Sequence, residues 1–169
     1  LGSLTKKIPK CLIKVNDKPI IQIWIDKLYS LGVRDILVNT HYLSHDVKKF
    51  LLKLNYKNLK ITISYEKKLL GTAGTVFKNI RYLNDHCFLI HVDNYNNANF
   101  SYFIKAHFNR PKSCVMTMMV NYVDNCKNFG MITKNSKNIL IDFNEKPKVS
   151  NSNLANSAIY ILSPQFIKA

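Results

Sequence analysis

The chain has 169 residues, enough for one domain with a sizeable core, and its 47% hydrophobic content is ordinary for a globular protein. It carries 25 Lys and Arg against 10 Asp and Glu, a formal charge of +15. That excess is spread along the chain, and Arg stands only at Arg34, Arg81 and Arg110. It therefore suits an enzyme acting on small anions better than a basic nucleic-acid-binding domain. No apolar run is long enough to span a membrane and no signal peptide is visible, so neither membrane insertion nor nucleic acid is expected and the default location is cytoplasmic. Cys11, Cys87, Cys114 and Cys126 are widely spaced with no Cys-x-x-Cys pair, which points to reduced thiols and not to a zinc or redox site.

In chain order, Pro19 opens a helix with Asp17 close to its cap. Ile20, Ile21, Ile23, Trp24, Ile25, Leu28 and Leu31 form its apolar stripe, and Gly32 ends it. A buried strand is expected over Asp35–Thr40. Ser44 caps a helix running to about Leu54. A strand over Leu59–Tyr65 follows. Glu66-Lys67-Lys68-Leu69-Leu70-Gly71-Thr72-Ala73-Gly74-Thr75 then reads as a turn of small residues leading to a helix from Val76 to Leu83. Small residues there let a flat or anionic ligand approach the backbone, with the N–H groups of the first helical turn facing it.

Cys87–Val92 reads as a central strand ending at Asp93, and Asn99 or Ser101 opens a helix that stops before Pro111. Strands are then expected over Val115–Tyr122, Phe129–Thr133, Asn138–Phe143 and Ala155–Leu162. Alternating β and α elements predict an α/β, Rossmann-like core: a mainly parallel mixed sheet with helices on both faces and the later strands as an edge. Ligands are then expected beyond the carboxyl ends of the strands.

Six motifs recur in a telling order. They are Leu1-Gly2-Ser3, then Leu4-Thr5-Lys6-Lys7-Ile8-Pro9-Lys10, then Leu70-Gly71-Thr72-Ala73-Gly74, then His91-Val92-Asp93-Asn94, then Glu145-Lys146-Pro147, and last Asn156-Ser157-Ala158-Ile159-Tyr160. In this order they resemble the sugar-1-phosphate nucleotidyltransferases, or nucleotide-sugar pyrophosphorylases, across essentially the whole chain. The Leu-Gly-Thr-Ala-Gly form is most similar to the mannose-1-phosphate guanylyltransferase-like enzymes.

The resemblance implies a single nucleotidyltransferase domain over residues 1–169. It implies transfer of a nucleotidyl group from a nucleoside triphosphate, GTP favoured, to a sugar 1-phosphate, with Mg²⁺ as cofactor, for cell-surface polysaccharide precursors. It assigns Gly2, Ser3 and Lys10 to the triphosphate, and Asp93 to Mg²⁺. It assigns Gly130, Glu145, Lys146 and Asn156 to the sugar phosphate, with Lys10, Asp93 and Lys146 catalytic. Glu66, Gly71 and Thr72 are expected to form the base pocket, because a carboxylate can accept the N1–H and N2–H₂ donors of guanine. Pro147 is expected to hold Lys146 extended, and His91 reads as core or as a supporting residue on the opposite face from the neighbours of Asp93.

Against the family pattern, no hydrophobic strand precedes Leu1, Ser3 runs straight into Leu4-Thr5 without the loop Arg and Pro, and Ala169 comes before the place of a second metal-binding Asp. The expectation is a chain incomplete in at least two places. Val92 and Ala158 also stand where the family often has Gly. The competing readings are a catalytically silent nucleotide-sugar-binding or regulatory subunit of the same fold, and a basic nucleic-acid-binding domain. A homo-oligomer is compatible with either enzymatic or regulatory use.

Overall fold

The computed structural model describes Thr5 and residues 7–167. The chain divides into two compact units, with the boundary between Asn84 and Asp85.

In the first unit, a 3-10 turn over Lys10–Leu12 leads into a small antiparallel hairpin of β1 (Lys14–Val15) and β2 (Lys18–Pro19). Asn16 and Asp17 both have left-handed backbones, at φ 47° and 62°, as a two-residue hairpin turn of the right twist requires. Asp17 is therefore a hairpin residue and does not cap the helix that follows. That helix, α1 (Ile20–Ser30), buries Ile20, Ile21, Trp24, Ile25 and Leu28, the stripe its sequence spacing dictates. Gly32 leaves it at φ 90°, which favours glycine.

β3 (Asp35–Thr40) and β4 (Lys60–Tyr65) pair in parallel, from Asp35 opposite Lys60 to Thr40 opposite Tyr65. α2 (Ser44–Leu51) crosses between them and buries Val47 and Leu51. It ends earlier than the expected Leu54, and its cap is Leu43, left-handed at φ 49°. Ser44 instead shares a hydrogen bond of 3.0 Å with the Thr40 hydroxyl. α3 (Gly71–Lys78) and a 3-10 turn over Ile80–Leu83 complete the unit. The small-residue segment from Gly71 to Thr75 is thus the first half of a helix, not a turn before one, and the expected helix over Val76–Leu83 is split at Asn79. Asn79 turns its side-chain amide onto the Thr75 carbonyl at 2.9 Å, capping α3 where the chain leaves it.

The second unit contains β5 (Cys87–Ile90), α4 (Phe100–Phe108), β6 (Met116–Tyr122), β7 (Gly130–Lys134), β8 (Leu140–Glu145) and β9 (Leu154–Leu162). Asn99 caps α4, accepting the Ser101 amide at 2.9 Å. Phe100 and Phe103 of α4 meet Phe88 of β5 at ring-centroid distances of 5.9 and 6.5 Å. β9 is the hub of the sheet, and Ala155, Ile159, Ile161 and Leu162 bury its core positions.

All pairings of this five-stranded sheet are antiparallel. Among the described residues the parallel pairing is that of β3 with β4, so a mainly parallel sheet is not what forms. The reason lies in the connections. From β6 onward strands follow one another with little helix between, and a parallel return needs a long crossover.

Tyr160 of β9 faces Leu89 of β5 on one side and Met118 of β6 on the other. Ala155 faces Met131 of β7 on one side and Asn121 of β6 on the other. β6 therefore runs along one edge of β9, and β5 and β7 share the other edge end to end. Between them lie Asn156, Ser157 and Ala158.

Candidate active site

That seam is where the second unit gathers its candidate residues. From Met118 to Val120 β6 advances two residues, while β9 goes back four, from Tyr160 to Asn156. The surplus makes a bulge, a device that redirects side chains beside functional sites. Ala158 in the bulge is left-handed at φ 51°. Asn156 braces it from both ends: its Oδ1 accepts the Ala158 amide at 2.8 Å, and its Nδ2 donates to the Tyr160 hydroxyl at 2.6 Å.

β5 stops at Ile90, opposite Ile159, so the strand is shorter than expected and Asp93 lies in the turn after it. This turn is tied to the bulge on both sides of Asp93. The His91 amide donates to the Ala158 carbonyl at 3.1 Å, and Asn94 Nδ2 donates to the Ser157 carbonyl at 2.9 Å. His91 is exposed, so it is not a core residue; its backbone does the work.

β7 begins at Gly130, one residue before the Met131–Ala155 pair, and hence level with Asn156. Gly130 faces Glu145 of β8 directly. Leu154 faces Ile132, so Leu154 and Asn156 share a sheet face with Ile132, Gly130 and Glu145. A Cβ on Gly130 would lie 2.5 Å from Phe143 Cζ and 2.9 Å from Glu145 Oε2. Glycine here lets the Phe143 ring and the Glu145 side chain lie down across the strand.

Lys146 follows β8, and its amide continues the ladder by donating to the Phe129 carbonyl at 3.0 Å. Its φ is 48°, left-handed and not extended. The bond to Phe129 holds this strained backbone against the extended conformation that a following proline favours, and residues of this kind cluster at functional sites. The ammonium is 3.7 Å from Glu145 Oε1, with both side chains about three-fifths exposed, at 62% and 61%. An exposed pair of this kind is weakly held, so the cation can be recruited by an incoming phosphate.

In the first unit Glu66 is the organising residue. It is only 2% exposed, and every polar group it has is bonded. Its amide donates to the Thr40 carbonyl at 2.8 Å, and its carbonyl meets His41 Nδ1 at 2.8 Å. Oε1 accepts the Thr75 hydroxyl at 2.6 Å and Oε2 the Leu70 amide at 3.2 Å. With the Asn39 amide oriented to satisfy its neighbours, its nitrogen donates to Glu66 Oε1 at 3.2 Å and to the Ser64 carbonyl at 3.0 Å. Burial pushes the carboxyl pKa up, but the bonds from Thr75, Leu70 and Asn39, with the Lys78 charge, outweigh it and hold it below the ordinary value.

Gly71 starts α3 at φ 70°, and Gly71 and Thr72 are exposed. Gly74 is needed for a different reason: a Cβ there would stand 2.8 Å from Leu70 Cβ. Lys10 is exposed at the head of the 3-10 turn. Gly2 and Ser3 lie outside the described residues. The sequence reading gave no role to Asn39, or to Thr75, Asn94 and Tyr160 although these three stand in its motifs. Asn39 and Asn94 act by hydrogen bonds to segments distant in sequence, Tyr160 across the bulge and Thr75 back onto Glu66, and no spacing signals these bonds.

Asp93 supplies one carboxylate, and the described residues contain no group of three or more His, Cys, Asp or Glu that could hold a metal ion. That donor set fits Mg²⁺ better than zinc, because Mg²⁺ is commonly held by one or two carboxylates, waters and substrate phosphates.

A sequence profile described as nucleotidyl transferase matches residues 1–169. The chain is 26% identical over 163 residues to the D-glycero-alpha-D-manno-heptose 1-phosphate guanylyltransferase of Campylobacter jejuni, covering 96% of this chain and 70% of that protein. It is 32% identical over 176 residues to the mannose-1-phosphate guanyltransferase of Schizosaccharomyces pombe, covering 99% of this chain and 47% of that protein. The chain thus spans about half the length of that longer relative. The crystal structure of HddC from Yersinia pseudotuberculosis superposes with a TM-score of 0.78 at 23% identity, over 95% of this chain and 70% of that one. This likeness shows the fold, an α/β nucleotidyltransferase fold.

Proposed function

The chain belongs to the nucleotidyl transferase family, and from that premise we propose that it joins a nucleoside triphosphate, GTP favoured, to a sugar 1-phosphate. A phosphate oxygen of the sugar 1-phosphate attacks the α-phosphorus in line. The bond between the α-phosphorus and the bridging oxygen breaks, and pyrophosphate leaves with that oxygen. The observation that carries the reading is the tie of the Asp93 turn to the β9 bulge beside Asn156, with Gly130 of β7 level with Asn156 and Glu145 and Lys146 on the strand beyond.

The reaction crowds negative charge, so its catalysis is mostly positioning and neutralisation. Lys146 binds the phosphate of the sugar 1-phosphate, and Glu145 and Asn156 take sugar hydroxyls on the sheet face they share with Gly130. Lys10 neutralises the triphosphate together with the segment containing Gly2 and Ser3. Asp93 holds Mg²⁺, which when bound supplies positive charge to the phosphate oxygens. The Gly71–Thr72 segment takes the base. Its helix N-terminus already has the Glu66 carboxylate against it, so a second anion is disfavoured there and a flat neutral group is not. Four free cysteines go with work in a reducing cytoplasm.

GTP is favoured because the two relatives above carry guanylyl-transfer names. Pyrophosphate release is the test, measured with GTP, UTP, dTTP and CTP against mannose 1-phosphate and D-glycero-α-D-manno-heptose 1-phosphate. Release with GTP and one of these sugars supports the reading. A preference for UTP or dTTP overturns the base assignment and leaves the reaction class. No release with any pair overturns the reaction itself.

A further inference from the structure

We propose that Glu66 is a positioning residue that sets nucleotide affinity from beneath, through Leu70 and Thr75, and does not itself read the base. The proposal rests on the nucleotidyl-transfer reading above and deepens it.

Three observations lead to it. Glu66 lies at the point where β4 ends and the Lys67–Leu70 loop begins, yet it is buried while Lys67, Lys68, Leu69 and Leu70 are all exposed. Its carboxylate is committed on both oxygens, to the hydroxyl of Thr75 inside α3 and to the amide of Leu70 at the helix cap. Its backbone is committed to β3 through Thr40 and to the following residue, His41. One residue thus joins β3, the loop and α3, and the segment it spans includes Gly71 and Thr72.

The physical reason a carboxylate suits this place is twofold. A negative group beside the first turn of α3 complements the helix dipole. Charge-assisted hydrogen bonds are stronger and more directional than neutral ones, so they hold a glycine-containing segment that would otherwise sample many conformations. The free energy of ordering the segment is then met in folding, before nucleotide arrives. Loss of the clamp would weaken nucleotide binding without touching the chemistry.

The experiment is a double-mutant cycle on the full chain with Glu66→Ala, Thr75→Val and the pair, plus Thr75→Ser as the conservative control. Three readouts are taken: GTP dissociation constant by calorimetry, KM and kcat for pyrophosphate release, and hydrogen exchange of the Leu70–Thr72 amides. Glu66→Ala, which loses both arms, is expected to weaken GTP binding roughly tenfold, Thr75→Val, which keeps the Leu70 bond, by less, and the pair no further than Glu66→Ala, because both act on one clamp. Thr75→Ser should restore binding. The kcat at saturating GTP and the KM for sugar 1-phosphate should stay within about twofold of the parent. Exchange at Leu70–Thr72 should rise in both single variants, and more in Glu66→Ala, which also frees the Leu70 amide.

Additive losses, or a change of base preference in Glu66→Ala without one in Thr75→Val, overturn the proposal and make Glu66 a direct contact. Unchanged exchange at Leu70–Thr72 in both single variants overturns it also. A parent chain that exchanges as expected and binds GTP but releases no pyrophosphate sinks the reaction and leaves the clamp standing.

Discussion

The amide of His91 donates to the carbonyl of Ala158 at 3.1 Å, so the turn that carries Asp93 hangs from the kink in β9. Asn94 repeats the attachment one residue beyond Asp93, on Ser157. A carboxylate between two such anchors keeps its place even though the strand before it has ended. The geometry separates what positions Asp93, which is backbone and Asn94, from what Asp93 would do, which is hold a cation.

Asp93→Asn should therefore leave the fold intact and remove most turnover, since the amide keeps the shape and loses the charge. Matched thermal melts with a pyrophosphate-release assay check this. Near-parent turnover in the variant would remove Asp93 from the metal role.

The kink itself can be tested at Ala158. A left-handed backbone costs an alanine roughly 1–2 kcal/mol, and glycine escapes that cost while losing more chain entropy on folding. Ala158→Gly should raise stability by about 0.5–1 kcal/mol in urea unfolding. An ordinary Ala→Gly change goes the other way by a similar amount, so the sign alone decides whether φ 51° is real strain.

Gly130→Ala probes the opposite side of the seam. The new Cβ meets Phe143 and Glu145, both of them side chains at the surface that can swing away. Stability should fall by no more than about 1–3 kcal/mol, the range for a moderate overpacking. The displaced Glu145 should raise the KM for sugar 1-phosphate several-fold with GTP affinity unchanged. Equal loss for both substrates would show a general distortion of the sheet.

Sequence patterns located α1, β3 and α4 because one face or one run of apolar side chains defines each. They did not locate the start of α3. Gly71, Thr72 and Gly74 are poor helix formers, and the helix begins there with the buried Glu66 taking the Leu70 amide and the Thr75 hydroxyl. Strand direction was equally out of reach. Cys87–Ile90 is apolar throughout, and such a run suits a parallel or an antiparallel neighbour alike. The motif positions Asp93, Gly130, Glu145 and Asn156 were legible one by one. The tie between the Asp93 turn and the bulge beside Asn156 was not, since a surplus of residues across a strand pair leaves no local signature beyond Ala158 in a place that often holds glycine.

Acid sensitivity should come from His107. It is fully buried, sharing hydrogen bonds with His86 Nδ1 at 2.8 Å and the Thr117 hydroxyl at 2.9 Å. Burial first, then the charges of Arg110 and His86, lower its pKa from 6.5 to about 4. The unfolded chain therefore takes up this proton first, and the contribution of His107 to stability is present above about pH 6.5 and lost as pH falls towards 4. The slope is at most about 1.4 kcal/mol per pH unit for one proton. Urea midpoints of the parent and His107→Gln between pH 7 and 4.5 isolate it: the difference between them should shrink on acidification. A constant difference would mean that His107 takes up its proton equally in the folded and unfolded chain, so that its pKa is not lowered.

Lys146 gives the sharpest test of the sugar-phosphate side. Its backbone is fixed in a left-handed conformation by Phe129 and followed by Pro147, while among the described residues its side chain is held by an exposed pairing with Glu145 at 3.7 Å. A rigid base under a lightly held ammonium is the arrangement a phosphate-capturing cation needs, because the pairing is given up at small cost when the anion arrives. Lys146→Ala should raise the apparent KM for sugar 1-phosphate and lower kcat/KM by roughly 2–4 kcal/mol, the scale of a lost donor to developing charge. GTP affinity should barely change. Lys146→Arg keeps the charge but not the point geometry, and should recover part of the loss. Collapse of GTP binding with sugar-phosphate affinity preserved would put Lys146 with the nucleotide and reverse the assignment of this end of the sheet.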